Sequence, residues 1–205
     1  MTESAPVKRR GRGRRPFAEV HAEVLEAAGN VLMEEGLSGF TVDKVVIASG
    51  VSSATVYKYW PSRGALALDG YLHVAGDSLA RRDTGNVEAD LKYMLTAFVK
   101  TVTRKPFGPV FAQLVGTAQT DTELAAQFDR YFGPRRSNFF AILETAKARG
   151  QLRRDTDVSV LVDTVWGACF MRLLLPHLTS GLTPQFVGEV VDQALTGVLV
   201  EPVSE

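Results

Sequence analysis

The sequence predicts an all-α fold, in which an N-terminal three-helix domain with a helix-turn-helix is followed by a larger helical bundle. Three observations support this prediction. Apolar residues recur at intervals of three and four along most of the 205-residue chain, which is the spacing of one face of an α-helix. Glycine, proline and short polar residues separate these stretches, as is usual where helices end and begin. No stretch shows the sustained alternation that is typical of a half-buried strand.

The charges are unevenly distributed along a chain that is neutral overall. With 45% hydrophobic and 22% charged residues, the composition is that of a globular protein able to bury a core. Residues 1–16 contain six of the 23 basic residues and one of the 23 acidic residues, so this arm carries +5 and the remainder −5. The arm also contains proline and glycine without hydrophobic periodicity, and we predict that it is disordered when free.

The first helix is predicted to begin at Phe17. Its apolar residues form one helical stripe, and its glutamates lie off that stripe. Gly36 is expected to end the helix, and Leu37 and Phe40 to close a small three-helix core. His21, within this helix, is interpreted as a polar surface or junction residue.

Residues 41–64 predict two short helices joined by a tight turn. Thr41 is placed to cap the first helix, Gly50 to end it, and Ser52 to cap the second. Val56 is the inward anchor of the second helix, whose other faces carry hydroxyls, a cation and aromatic rings. Such a helix is suited to a groove, and in a helix-turn-helix the second helix lies in the major groove of DNA.

The order and spacing of several residues around this turn match a known signature. They are Gly50-Val51-Ser52, Thr55-Val56-Tyr57, Tyr59-Trp60-Pro61-Ser62-Arg63 and Ala65-Leu66. Together they resemble the DNA-binding signature of the TetR family of bacterial transcriptional regulators, over roughly residues 17–68. Val46, Ser49 and Gly64 depart from the residues that are usual in that family, but none of these departures removes a DNA-facing group.

The helix-turn-helix and the arm supply the candidate DNA contacts. The candidates for reading base edges are Ser53, Ala54, Tyr57 and Lys58. Ser52, at the cap beside them, is a further candidate DNA contact. The candidates for phosphate contacts are Thr41, Lys44, Thr55, Tyr59 and Arg63. In the arm, a second group is predicted to neutralise phosphates or enter the minor groove, namely Arg12, Arg14 and Arg15. The alternative for the arm is a solubilising tail.

A connector helix is predicted from the Ser62 cap to about Arg82, shared between the two domains. Beyond it the apolar pattern predicts further helices, nine or ten in total, with an interruption or a bend at Gly133-Pro134 and a final helix that begins at Pro184. The predicted domains are a disordered basic arm at 1–16, a helix-turn-helix domain at 17–64, and a helical effector-binding and dimerisation domain at 65–205.

The C-terminal domain is rich in aromatic residues at core-like spacing. Helix bundles bind ligands in apolar pockets between helices. The resemblance implies that an effector pocket exists, and the apolar residues predict a small apolar or amphipathic effector. The candidate pocket residues are Phe98, Phe111, Leu114, Phe139, Leu143, Trp166 and Phe170. Simple core packing is the alternative for each. Arg172 lies among apolar neighbours, so its guanidinium is expected either to meet a ligand anion or to pair with Asp163, Glu144 or a helix-end carbonyl.

The last two helices are apolar over wide arcs and contain small residues that permit close approach. The resemblance implies a homodimer through these helices, and two recognition helices about 34 Å apart would then read a palindromic operator on double-stranded DNA. The predicted function is a sequence-specific transcriptional repressor released by its effector. The alternatives are an activator of the same fold, or a helical small-molecule-binding protein without DNA binding.

Enzymatic and membrane functions are not indicated. Cys169 is the only thiol and lies among apolar residues in mid-helix, the three histidines are scattered, and no glycine-rich phosphate loop occurs. No metal or cofactor is therefore expected. No run approaches the ~18 consecutive apolar residues of a membrane span, and no secretory signal is evident. The lone cysteine fits a reducing compartment, so we expect a cytoplasmic protein.

Overall fold

The computed structural model describes residues 16–76 and 82–196 of the chain. Within these ranges the chain forms nine α-helices and no strand. The helices are α1 Phe17–Gly39, α2 Val42–Ser49, α3 Ser53–Tyr59, α4 Arg63–Ala75, α5 Val87–Val102, α6 Phe107–Ala118, α7 Thr122–Ala148, α8 Val158–Leu174 and α9 Pro184–Thr196. The predicted all-α fold is confirmed. The predicted bounds of the basic arm lie almost wholly outside the described residues.

The helices α1, α2 and α3 enclose a small core around Leu32, Phe40, Val45 and Val56, all of which are fully buried. The regular part of α1 breaks at Gly36, whose φ of 67° lies in the left-handed region. Glycine adopts this conformation without the steric cost that a Cβ would add. The predicted end of the first helix is thus where the backbone leaves helical geometry, and one more helical turn follows before α2.

The predicted N-caps are confirmed by side-chain hydrogen bonds to orphan backbone N–H groups. The Thr41 hydroxyl accepts from the backbone N–H of Lys44 at 3.3 Å, and the Ser62 hydroxyl accepts from Ala65 at 3.1 Å. Each cap satisfies a donor that the first turn of a helix leaves unpaired, and is worth about 1 kcal/mol. Because these are local interactions, the sequence was sufficient to place them.

The connector helix α4 is shorter than predicted. It ends at Ala75 rather than near Arg82. The C-cap residue Gly76 has a φ of 75°, and its N–H donates to the carbonyl of Leu72 at 3.2 Å. A glycine in the left-handed region terminates a helix even where the apolar pattern continues beyond it.

Of the interruption or bend predicted at Gly133-Pro134, the interruption is wrong, because α7 runs through Pro134 as one helix of 27 residues. A proline inside a helix removes one backbone hydrogen bond and crowds the preceding turn, which often bends or ends the helix. Here apolar side chains on both sides of Pro134 are packed into the core, with Leu124 and Leu143 both fully buried. Tertiary packing therefore retains the helix.

The N-terminal three-helix part and the C-terminal part of the chain meet mainly where α4 packs against α1. Their backbones approach so closely that a Cβ added at Gly70 would lie 2.8 Å from the Ala28 Cβ and 2.8 Å from the Gly29 backbone nitrogen. The start of α4 also lies against α7, where a Cβ at Gly64 would be 3.1 Å from the Leu124 Cβ. Close packing thus accounts for glycine at position 64, one of the three departures from the signature that the sequence resembles.

We expect Gly70→Ala to lower the free energy of unfolding by about 1–3 kcal/mol, because the added methyl group has no room between two rigid helices. Urea denaturation at fixed protein concentration measures this change. Gly116→Ala is the matched control, since a Cβ there would meet no atom within 4 Å. The control should be neutral or stabilising by up to about 1 kcal/mol. Equal stability of the two variants would contradict the close α1–α4 contact.

The helices α5 to α9 form the larger bundle. The helix α5 packs against α9 through a fully buried row that includes Leu91, Leu95, Val187 and Val191, and α6, α7 and α8 enclose the other side. Among the residues that the structure describes, no helix is both long enough and apolar enough to cross a bilayer.

Candidate functional site

The second helix of the helix-turn-helix, α3, is held by a few local interactions. The hydroxyl of Ser52 accepts from the Thr55 N–H at 3.4 Å, and Gly50 takes a φ of 66° in the turn before it. Val51 and Val56 are buried against the three-helix core. This arrangement fixes the orientation of a helix that has only one buried residue of its own.

The residues predicted to read base edges lie on one exposed surface of α3. Ser53, Ala54, Tyr57 and Lys58 are all exposed, and the Tyr57 side chain is 53% exposed. The surface offers hydroxyl groups, a cation and an aromatic ring without burying any of them. Such groups contact base edges when a helix of this kind enters the major groove. Their roles as base contacts stay predictions.

The candidate phosphate contacts surround this surface, and several are already engaged with protein groups. The Lys44 ammonium pairs with the Glu35 carboxylate and donates to the Gly39 carbonyl at 3.0 Å. One Arg63 Nη donates to the Leu37 carbonyl at 2.7 Å. A phosphate would compete with these partners for both cations. Thr41 and Tyr59 are exposed and Thr55 is partly buried. The positions of all five residues are compatible with phosphate contacts, and these contacts stay predictions.

An aromatic cluster that the sequence did not reveal joins the start of α1 to the end of α3. The Phe17 ring lies 4.7 Å from the Tyr59 ring, and the His21 ring lies 4.7 Å from the Trp60 ring, measured between centroids. His21 is therefore a junction residue, one of the two roles expected for it. Its contact could have been suspected only from the four-residue spacing of Phe17 and His21 on one helical face.

This cluster places the end of the basic arm beside the recognition helix. Pro16, the first described residue, precedes the Phe17 ring that packs on Tyr59. A chain leaving Pro16 therefore starts next to the surface that is predicted to face DNA. Arg12, Arg14 and Arg15 themselves lie outside the described residues, so their predicted phosphate contacts remain predictions.

A cavity of about 500 Å³ lies between α5, α6, α7 and α8. Seven aromatic rings line it, and they belong to Phe98, Phe111, Phe128, Phe132, Phe139, Trp166 and Phe170. Its volume and apolar character are those of a small-molecule site, which typically spans ~300–1,000 Å³. The predicted pocket residues Phe98, Phe111, Phe139, Trp166 and Phe170 are thus brought together by the fold.

Three of the predicted pocket residues lie elsewhere. Leu114 and Leu143 are fully buried in the core and do not line the cavity. Arg172 faces the segment before α9, where it donates to the Gly181 carbonyl at 2.9 Å and stacks on the Phe186 ring. A loop carbonyl thus satisfies its guanidinium, in place of a ligand anion and of the carboxylates considered from the sequence.

Apart from Phe139, the residues that α7 contributes to this cavity were not among the predicted site residues. Phe128, Phe132, Arg135 and Arg136 of α7 line it, as does Gln119 at the end of α6. The predicted break at Pro134 concealed the arginines, because only a continuous helix carries both sides of that proline past the same cavity. The one available signal was the four-residue spacing of Phe128 and Phe132, which places both rings on one helical face.

The structure offers no catalytic alternative at Cys169. The thiol is buried, and burial raises its pKa to about 11, so it remains protonated and unreactive near neutral pH. Within residues 16–76 and 82–196, no group of three or more histidine, cysteine, aspartate or glutamate side chains is arranged to hold a metal ion.

Two side-chain contacts connect the walls of the cavity to the helix-turn-helix unit. From α6, the Gln113 Oε1 accepts from the backbone N–H of Leu37 at 2.8 Å. From α7, the Gln127 amide donates to the Asp69 carboxylate at 2.7 Å, and the same carboxylate accepts from the Trp60 indole N–H at 2.8 Å. Both contacts join residues far apart in sequence, which is why no local pattern indicated them.

Two family models match the chain. The model described as "Bacterial regulatory proteins, tetR family" matches residues 24–69, which include α2, α3 and the adjoining parts of α1 and α4. The model described as "Tetracyclin repressor-like, C-terminal domain" matches residues 81–194, more than half of the chain.

Two related proteins agree with these matches over most of the chain. The HTH-type transcriptional regulator YdeS of Bacillus subtilis (strain 168) is 33% identical over 195 residues, covering 95% of this chain and 97% of its own. A DNA-binding transcriptional repressor TetR of Mycobacteroides abscessus is 28% identical over 187 residues, covering 88% and 94%.

A solved structure extends the agreement to three dimensions. The crystal structure of the TetR family transcription regulator SCO0332 is 46% identical in sequence and has a TM-score of 0.74, covering 89% of this chain and all of that one. The proteins related over most of this chain are regulators rather than enzymes. The chain therefore belongs to the TetR family of bacterial transcriptional regulators, and it is a DNA-binding helix-turn-helix protein.

Proposed function

We propose that this protein is a cytoplasmic homodimeric repressor, which a small apolar or amphipathic effector releases from a palindromic operator. One observation carries the proposal. Two of the four helices that wall the aromatic cavity, α6 and α7, also make hydrogen bonds that hold the helix-turn-helix unit in place. A ligand that changes their spacing would therefore change the position of the recognition helix. In this proposal residues 17–64 bind DNA, and residues 65–205 bind the effector and dimerise.

The contact from α6 supports this coupling. Phe111 and Val115 line the cavity, and Gln113 between them holds the backbone of Leu37, just beyond the Gly36 break in α1. The carbonyl of Leu37 accepts a hydrogen bond from the Arg63 guanidinium at the start of α4. Movement of α6 would thus shift the point at which α1, α4 and α6 meet.

The contact from α7 supports it independently. Phe128 lines the cavity, and its neighbour Gln127 donates to Asp69 on α4, which in turn holds Trp60 at the end of α3. An effector that binds better when α7 is displaced favours the conformation in which this chain of hydrogen bonds is altered. By linkage, that effector then weakens DNA binding by the same factor by which DNA weakens effector binding.

An exposed apolar stripe on α8 supports the proposed dimer. Val160, Gly167, Met171 and Leu174 are exposed at spacings of seven, four and three residues, which places them on one helical face. Leu178 continues the stripe beyond the end of the helix and is 67% exposed. An isologous pairing of this face with a second copy would remove the stripe from water.

The helix α9 is expected to contribute a different kind of surface to the dimer. Its exposed residues include Gln185, Glu189 and Asp192, and Asp192 pairs with Lys92 on α5. Interfaces commonly combine an apolar centre with a polar rim. We therefore place α8 at the centre of the proposed interface and α9 at its rim.

The test of the proposal is a footprint on the DNA upstream of the protein's own gene, together with a reporter driven by that DNA. Protection of an inverted repeat, and higher reporter output when the gene is deleted, are the expected results. The Mycobacteroides abscessus relative carries the name of a repressor, which supports this direction of regulation. Lower output on deletion would support the activator instead, and no protection at any duplex would favour the protein without DNA binding.

Deleting residues 1–15 is expected to flatten the dependence of operator affinity on salt. Each arginine that neutralises a phosphate contributes about −0.9 to the slope of log affinity against log salt, and this segment contains six basic residues. Binding measured by fluorescence anisotropy at several salt concentrations gives the slope. An unchanged slope would return the arm to the alternative of a solubilising tail.

A further inference from the structure

The charged residues at the aromatic cavity are of one sign. Arg135 and Arg136 line it and, within the described part of the chain, no acidic side chain does. The remaining polar side chain of the lining is that of Gln119. In a wall otherwise made of aromatic rings and short aliphatic side chains, two adjacent cations are the groups that would determine the charge of a ligand.

Both guanidinium groups are held by aromatic rings. The Arg135 guanidinium lies 3.6 Å from the centroid of the Tyr131 ring and donates to the Tyr131 carbonyl at 3.0 Å. The Arg136 guanidinium lies 5.1 Å from the Phe140 ring. Contact with a ring restricts the orientation of a guanidinium, which lowers the entropy lost when it binds an anion.

The present partner of Arg136 can be exchanged. Its Nη2 donates to the Asp163 carboxylate on α8 at 2.7 Å, and the two side chains are 46% and 63% exposed. An exposed ion pair of this kind contributes little stability. A ligand carboxylate at the edge of an apolar cavity can replace Asp163, and its interaction with the guanidinium is stronger because less water surrounds it.

The aromatic side chains that line the cavity indicate which apolar group of a ligand they would bind best. The Phe98 ring contacts the rings of Phe111, Trp166 and Phe170 at centroid distances of 6.1, 5.0 and 5.7 Å, in both edge-on and stacked arrangements. Aromatic pairs gain about 0.5–1.5 kcal/mol beyond the burial of their area. An aromatic ligand would therefore gain more here than an aliphatic one of equal area.

We propose that the cavity binds an aromatic carboxylic acid, with its ring system among the aromatic side chains and its carboxylate at the mouth against Arg135 and Arg136. The proposal rests on the effector site proposed above and adds the chemical class of the effector. It follows from the apolar aromatic wall together with two oriented cations on α7.

Isothermal titration of the full-length protein with four probes tests this inference. The probes are 1-naphthaleneacetic acid, its methyl ester, 1-naphthylmethylamine and decanoic acid. The acid should bind at least about tenfold more tightly than the ester or the amine, because charge-assisted hydrogen bonds are the stronger kind, and more tightly than decanoic acid. Equal or tighter binding of the ester or the amine, or no binding of any probe, overturns the proposal. Tighter binding of decanoic acid overturns the aromatic class.

Variants of the two arginines at the mouth of the cavity test where the carboxylate of the ligand binds. The double change Arg135→Gln and Arg136→Gln should lower the affinity for the acid about tenfold or more and leave that for the ester unchanged. Arg153→Gln is the matched control, because that arginine is exposed, pairs with Asp155 and does not line the cavity. Circular dichroism of each variant checks that it is folded. If both variants bind the acid like the parent protein, the mouth arginines are not the anion site.

Operator binding distinguishes this inference from the proposed function. If the acid binds tightly but leaves operator affinity unchanged, the ligand class stands and effector release fails. If the ester binds as tightly as the acid and releases the operator, effector release stands and the anionic ligand fails.

Discussion

Replacing Met171 with aspartate is expected to convert the protein to a monomer at micromolar concentration and to weaken operator binding by about 10²- to 10⁴-fold. Met171 is 45% exposed in the middle of the apolar stripe on α8, and a dimer would bring two aspartates close together in an apolar interface. Operator binding depends on the dimer, because joining two half-site contacts raises affinity by that range. Sedimentation velocity and anisotropy on the operator measure the two effects.

Tyr93→Asp is the matched control for this change. Tyr93 on α5 has a similar exposure of 48%, and it lies outside the stripe. The control should remain dimeric and bind the operator as the parent protein does. A dimer that persists in Met171→Asp would move the interface away from α8. A monomer with full operator affinity would remove the argument from two-fold symmetry.

Tyr57→Ala is expected to weaken operator binding by about 5- to 150-fold, while binding to random duplex changes little. Tyr57 projects from the exposed surface of α3 and makes no core contact that folding requires. Loss of one direct base contact typically costs about 1–3 kcal/mol and is confined to the specific sequence. Competition titrations with operator and random duplexes of equal length measure the difference.

Two further variants sharpen the test of Tyr57. Tyr57→Phe removes only the hydroxyl group and separates its contribution from that of the ring. Tyr93→Ala removes an exposed ring remote from α3 and should alter neither affinity. Equal losses on operator and random DNA would assign Tyr57 to the phosphate backbone, since contacts to phosphates carry no sequence information.

Local features of the fold were predictable because their causes are local. Thr41, Ser52 and Ser62 cap helices through hydrogen bonds to residues three positions away, and Gly50 provides the left-handed turn between α2 and α3. Each of these is readable from a few consecutive residues. The resemblance to the TetR family rests on the same segment, so the family was identified correctly from it.

The errors occurred where distant residues decide the outcome. The apolar pattern continues past Gly76, yet α4 ends there. Pro134 is a usual helix breaker, yet packing on both sides of it keeps α7 continuous. Leu114 and Leu143 are apolar residues at helical spacing, as residues that line a pocket often are, but neighbouring helices cover them completely. Periodicity identifies the buried face of a helix and cannot distinguish a core from the wall of a cavity.

The sequence by itself determined the all-α class, the helix-turn-helix, the exposed residues of α3 and the family. Those properties follow from hydrogen bonds and side-chain periodicity within short segments. Only the tertiary structure decided which five of the predicted aromatic residues share a cavity, that Arg135 and Arg136 lie at it, and that Gln113 and Gln127 connect its walls to the DNA-binding unit. These contacts join residues that are tens of positions apart, and their partners are set by how whole helices pack.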